Sequence, residues 1–175
     1  RLFRSRARIP MQIDVGFGDI VYPKPKAIDY PVILDFPKPH LNGYPQESVI
    51  SEKFEVMIKL GLLNSRMKDF YDIWLMTRQF EFKGANIASA IKKTFNNRKT
   101  DIPHKKPLFA DEIYDEKSDR QTLWNAFVKK GDIQHAPETL SATAKEIERF
   151  LIEPVIAISE NVAFDKTWTS PKGWE

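Results

Sequence analysis

Cysteine is absent from the 175-residue chain, so disulfides and thiolate metal sites are excluded and a reducing compartment is permitted. Glycine is scarce, with seven residues. None of them builds a P-loop, a dinucleotide-binding fingerprint or a nucleophile elbow, which removes kinase-like P-loop, Rossmann and serine-hydrolase readings. The three histidines, His40, His104 and His135, are scattered and show no metal-ligand spacing. Long apolar runs are also missing. The two best, residues 56–63 and 152–158, are too short to span a bilayer and are interrupted by lysine, glycine or proline. Charge of one sign is not in excess either: 27 basic against 24 acidic residues leave +3, too little to mark a nucleic-acid binder by overall charge. There is no internal repeat.

What is present is 42% hydrophobic sequence, enough for one domain with a real core. The chain opens with Arg1, Arg4, Arg6 and Arg8 set against Leu2, Phe3, Ala7 and Ile9. That alternation resembles the tail of a strand already under way, so a natural N-terminal portion is expected upstream. Met11, Ile13, Val15 and Phe17 then alternate with Gln12 and Asp14, predicting a strand over residues 9–17 that presents Asp14 on its polar face and stops at Gly16 and Gly18. Residues 31–37 predict a second short strand, whose flanking prolines suggest an edge or a terminus.

From Pro45 the period changes to that of a helix. Val49, Ile50, Lys53, Phe54, Met57, Ile58 and Leu60 share one pattern, closed by Gly61. A second helix is expected from a cap at Asn64 or Ser65 to about Gln79, forming a tight hairpin with the first. Further helices are expected over 85–95, 118–129 and 139–158, the last capped by Ser141 and kinked or divided at Pro154. Trp168 and Trp174 imply an ordered or partner-bound tail, since two indoles are costly to leave in water. Strands first and helices afterwards predict an α+β protein. Residues 1–44 would form a short mixed or antiparallel sheet, residues 45–161 a helical bundle packed on it, and residues 162–175 a tail.

The chemistry concentrates in Asn64-Ser65-Arg66-Met67-Lys68-Asp69-Phe70-Tyr71-Asp72. On a helix Arg66, Asp69 and Asp72 share a face, and Lys68 with Asp72 is an i, i+4 pair. As a surface pair that would be worth only about 0.3 kcal/mol. Yet the charges interleave with Met67, Phe70, Tyr71 and Trp74, which supply a rigid apolar backing. Arginine offers a planar fork for phosphate oxygens, lysine a movable charge, and aspartate either a magnesium ligand or an orienter of the cations. The short connection after Gly61 can bring Lys53 to this face.

In order and spacing, Ile13-Asp14-Val15-Gly16-Phe17-Gly18-Asp19, Tyr44-Pro45-Gln46-Glu47, Glu52-Lys53-Phe54 and the 64–72 segment resemble the AbiEii/AbiGii-type nucleotidyltransferase family. That family belongs to the DNA polymerase β-like nucleotidyltransferase superfamily and includes toxins of toxin-antitoxin and phage-abortive-infection systems. The likeness is strong over residues 1–80 and general beyond. It implies that Asp14 is a strand carboxylate acting as general base or secondary metal ligand, that Lys53 and Arg66 meet the triphosphate, and that Asp69 is an active-site carboxylate. Lys68 and Asp72 would complete the phosphate-binding set, with Asp72 holding Lys68 or Arg66. The implied substrates are a nucleoside triphosphate with Mg2+ and an RNA acceptor, tRNA above all, or a protein. The implied partner is a cognate antitoxin and the implied setting cytoplasmic. The family's Gly-Ser and paired-aspartate motif has no counterpart here and is expected before Arg1. The alternative is a truncated, non-catalytic relative that acts as a nucleotide- or partner-binding module.

Weaker signals remain. Asn97-Arg98-Lys99, His104-Lys105-Lys106 and Lys129-Lys130 suggest a basic surface for an acidic partner, or ordinary solvated loops. Trp124 and Phe127 at helical spacing read as core rather than as stacking platforms.

Overall fold

The change of period at Pro45 is also where the architecture changes. The structure, a computed structural model, describes residues 10–13 and 15–175. Two strands, β1 (Lys26–Asp29) and β2 (His40–Gly43), come first. The helices α1 (Gln46–Leu60), α2 (Met67–Gln79), α3 (Gly84–Arg98), α4 (Asp111–Tyr114), α5 (Asp119–Lys130) and α6 (Leu140–Ser159) follow. Between α2 and α3 lies β3 (Phe82–Lys83), and after α6 come β4 (Thr167–Thr169) and β5 (Gly173–Trp174). This is the expected α+β order.

The sheets differ from expectation in place. The strand predicted over 31–37 is the connection of an antiparallel hairpin, β1 pairing with β2 in the register Lys26↔Gly43 to Asp29↔His40. Pro31, Pro37 and Pro39 bring no amide hydrogen to a ladder, so the apolar residues between them bend instead of pairing. Of the strand predicted over 9–17, residues 10–13 and 15–17 carry no strand pairing, and Met11, Ile13, Val15 and Phe17 are exposed. Residues 1–9 and Asp14 lie outside the described residues. A second antiparallel sheet, in the order β3-β4-β5, closes the far end of the helices.

α1 starts after Pro45, whose φ of −64° suits a helix entrance, and ends where Gly61 takes φ +48° and returns its amide to Met57. The 61–63 segment is a single 3-10 turn. α2 starts at Met67 with Arg66 at the cap position, so neither Asn64 nor Ser65 caps it; the Asn64 Oδ1 accepts the Arg66 amide at 2.9 Å and organises the entrance from outside the helix. α6 is capped by Thr139, whose hydroxyl accepts from the Ala142 amide at 3.0 Å, and not by Ser141, which is buried on the helix.

Pro154 lies inside α6 and neither divides it nor ends it. Lacking an amide hydrogen, it cannot satisfy the carbonyl of Phe150 one turn back. The Trp174 indole N–H supplies that bond from outside, at 2.8 Å. The Trp174 ring stacks on Phe150 with centroids 5.2 Å apart, and Trp168 meets Phe150 edge-on at 5.0 Å. Trp168 also donates to the Thr77 carbonyl, an unpaired group in the last turn of α2, at 2.7 Å. The terminal strands thus complete two helices.

α6 is the central element, touching α2, α3, α4 and α5, while α1 lies along α3 and also touches α2. Phe54, Phe70, Ile73, Ile87, Ile91, Phe95, Ile147, Phe150 and Leu151 form one buried core. Trp124 joins it, fully buried. The core holds the outer edge of the α1-α2 hairpin at a fixed separation.

Candidate functional site

On that hairpin the side chains singled out from sequence meet. Lys53 projects from α1 toward α2, its Nζ 2.6 Å from Asp69 Oδ1 and 2.9 Å from Asp72 Oδ2. The same Asp72 oxygen is 2.5 Å from Lys68 Nζ, and Asp69 Oδ2 lies 2.8 Å from Arg66 Nε. Read in space, the five groups alternate in sign: Arg66, Asp69, Lys53, Asp72, Lys68. Three cations against two carboxylates leave one positive charge in excess.

Burial divides this row of charges into a shielded centre and exposed ends. The Asp69 side chain is 2% exposed, and those of Lys53 and Asp72 about a fifth exposed, at 19% and 20%. Arg66 and Lys68 are largely in water, at 63% and 71%. Burial by itself disfavours the Lys53 ammonium. Its hydrogen bonds to Asp69 and Asp72, with the charge of both, outweigh that cost and hold Lys53 above the ordinary lysine range. Arg66 Nε reaches Asp69 Oδ2 without hydrogen-bond alignment, so that buried oxygen has a charged neighbour and no directed partner. The exposed cations can leave their carboxylates for a ligand; Lys53 cannot do so without stranding Asp69.

The centre borders a cleft of about 470 Å3 lined by Lys53, Ser65, Arg66, Met67, Lys68, Asp69, Leu123 and Phe127. The last two come from α5. The Phe127 ring lies 5.9 Å from that of Tyr71 and 5.7 Å from that of Trp124, so it is a half-buried residue that packs on the core and also lines the cleft. Arg120, one turn earlier on α5, donates to the Asn64 carbonyl at 3.3 Å and to the Leu62 carbonyl, fixing the backbone that leads into Arg66. Sequence reasoning missed both contributions. The available signal was the pair Leu123 and Trp124, adjacent residues that cannot share one buried stripe.

Asp14 lies outside the described residues. Asp19, in the same motif, is gripped by the end of α3: Arg98 Nη2 is 2.9 Å from its Oδ1, and Asn97 donates to the Gly18 carbonyl at 2.8 Å. Arg98 also pairs at 2.9 Å with the fully buried Glu55, whose other oxygen accepts from the Thr100 hydroxyl. Arg98 is therefore internal to an ion cluster, and the basic surface suggested around residues 97–99 loses its central cation. Glu52 belongs to the same cluster, 3.7 Å from Arg98, and accepts from the Tyr44 hydroxyl. Burial and then this carboxylate push the Tyr44 phenol up.

Among the described residues no group of three or more histidine, aspartate or glutamate side chains is gathered to hold a metal ion. Asp69 and Asp72 both face Lys53, a donor set that suits an ammonium and does not fit magnesium unaided. No helix among the described residues is long and apolar enough to cross a membrane.

No curated protein and no solved structure matches the chain. The family model of the nucleotidyl transferase AbiEii toxin, type IV toxin-antitoxin system, matches residues 1–151, from the N-terminal motif through α5 and into α6. The chain that carries the Lys53, Asp69 and Asp72 centre belongs to the AbiEii nucleotidyl transferase toxin family.

Proposed function

We propose that this chain supplies the triphosphate side of a nucleotidyl-transfer centre, moving a nucleotide from a nucleoside triphosphate onto an RNA acceptor, tRNA above all, under the control of a cognate antitoxin. The observation that carries the reading is the alternating charge chain, with two solvated cations at its ends and the largely buried Lys53, held by two carboxylates, at its middle. The acceptor oxygen attacks the α-phosphorus, a phosphorus–oxygen bond forms, and the bond to the bridging oxygen breaks to release pyrophosphate. Charge builds on that leaving group. Arg66 and Lys68 can swing onto its oxygens while Lys53, aligned by Asp69 and Asp72, adds a fixed positive potential. Asp14 takes the acceptor's proton in this reading. Magnesium belongs here only as the ion that accompanies the triphosphate.

The test incubates the protein with each labelled triphosphate, magnesium and total tRNA. Label should pass to RNA, and Lys53→Ala and Asp69→Ala should each abolish transfer. Transfer that survives both substitutions overturns the assignment of the site. A second reading, nucleotide binding without transfer, is favoured by one observation: both carboxylates of the centre are engaged by Lys53. Retained triphosphate binding with no label on any RNA or protein acceptor would select it.

A further inference from the structure

The cleft beside the charge chain has two unlike walls. One carries Lys53, Arg66 and Lys68; the other, from α5, carries Leu123 and Phe127. Leu123 is 37% exposed although α5 packs against α2 and α6, and it stands one helical turn from Phe127. The Phe127 ring packs against Tyr71 and Trp124, with centroids 5.9 and 5.7 Å away. An anion alone gains nothing from an aliphatic and an aromatic side chain set beside its cations. A nucleotide does: its phosphates need the charged wall and its base needs an apolar surface.

Resting on the nucleotide reading above, we infer that Leu123 and Phe127 form the wall against which the nucleobase stacks, and that this wall ranks triphosphates by stacking area. Among the described residues Ser65 is the one uncharged polar side chain on the cleft, and the charged ones are engaged with one another or free for phosphate, so these residues offer little to read the hydrogen-bonding edge of a base. Base–aromatic stacking tolerates every base because each presents a π face. Purines therefore bind more tightly than pyrimidines, and adenine and guanine bind alike.

The experiment titrates the full chain with ATP, GTP, CTP, UTP and inorganic tripolyphosphate. Phe127→Ala should weaken ATP binding by about tenfold or more, the order expected for one lost stacking contact. Tripolyphosphate affinity should stay unchanged, and the purine margin should narrow. Leu123→Ala, at a half-exposed position, should act in the same direction more weakly. Should Phe127→Ala fail to fold, Phe127→Leu with Leu123→Ala carries the test. Equal weakening of ATP and tripolyphosphate overturns the inference, and ATP binding unmoved by the variants overturns it while leaving the phosphate site intact. A wild-type chain that binds neither ligand overturns the cleft reading and the stacking wall with it.

Discussion

If Trp174 repairs the gap that Pro154 leaves in α6, the two residues must be coupled energetically across 20 positions of sequence. Trp174→Phe keeps an aromatic ring to stack on Phe150 but removes the indole donor, leaving the Phe150 carbonyl without its 2.8 Å bond. Phe150 is fully buried, so its carbonyl has little access to water in exchange. Stranding a buried polar group costs about 1–3 kcal/mol. In a Pro154→Ala background the new amide can reach the same carbonyl, since an oxygen accepts two bonds. There the Trp174→Phe cost should shrink by about 1 kcal/mol. Urea unfolding followed by helical circular dichroism on the wild type, both single variants and the double variant gives the coupling directly. The smaller volume of phenylalanine enters both backgrounds and cancels. A Trp174→Phe cost that is the same with proline and with alanine at position 154 refutes the repair.

The remaining predictions concern the charge chain and the tight contacts. Lys53→Met should destabilise by about 3 kcal/mol, because it leaves Asp69 buried beside one misaligned arginine; a urea midpoint equal to that of wild type counts against the pairing. Lys53 binds its proton more tightly folded than unfolded, so its contribution is complete below the ordinary lysine pKa of 10.5 and is lost as pH rises through its higher folded value. Wild type should therefore lose more stability than Lys53→Met between about pH 9 and pH 12, the range around ordinary lysine titration. Gly84→Ala would place a methyl carbon 2.5 Å from the Phe164 ring and 2.8 Å from its carbonyl oxygen. It should cost about 1–3 kcal/mol by overpacking, read as a lowered Tm. Arg98→Ala strips the main cation from buried Glu55 and should destabilise by about 3 kcal/mol. Proteolysis should then cut more readily near Asp19, which Arg98 also holds.

Local chemistry explains which parts of the molecule were legible. Pro45 and Gly61 bound α1 because one fixes φ and the other accepts a positive φ, both readable without neighbours. The approach of Lys53 to the 66–72 face was readable from the short connection after Gly61, but its pairing with both Asp69 and Asp72 was not, since Lys68 and Arg66 competed for the same carboxylates. Pairings over long separations were not readable either. Phe82 finds Trp168 across 86 positions, Arg98 finds Asp19 across 79, and Trp174 finds the carbonyl freed by Pro154. The apolar content of residues 31–37 pointed to a strand, and their prolines pointed away from one. Phe127 shows a different limit, since a residue braced by the core on one side and open to a cleft on the other has the sequence pattern of a core residue.

The alternation of Arg66, Asp69, Lys53, Asp72 and Lys68 sets a rule for how the site can vary between relatives. Each inner member is balanced by two neighbours, so changing one unbalances both adjoining links in a region with little water to compensate. Lys53, Asp69 and Asp72 should therefore persist together or disappear together, as a block with its own charge parity. The end members answer mainly to solvent, and there arginine and lysine can trade places or be lost one at a time. A relative that kept the block and lost both ends would still fold around it, with the grip on phosphate gone.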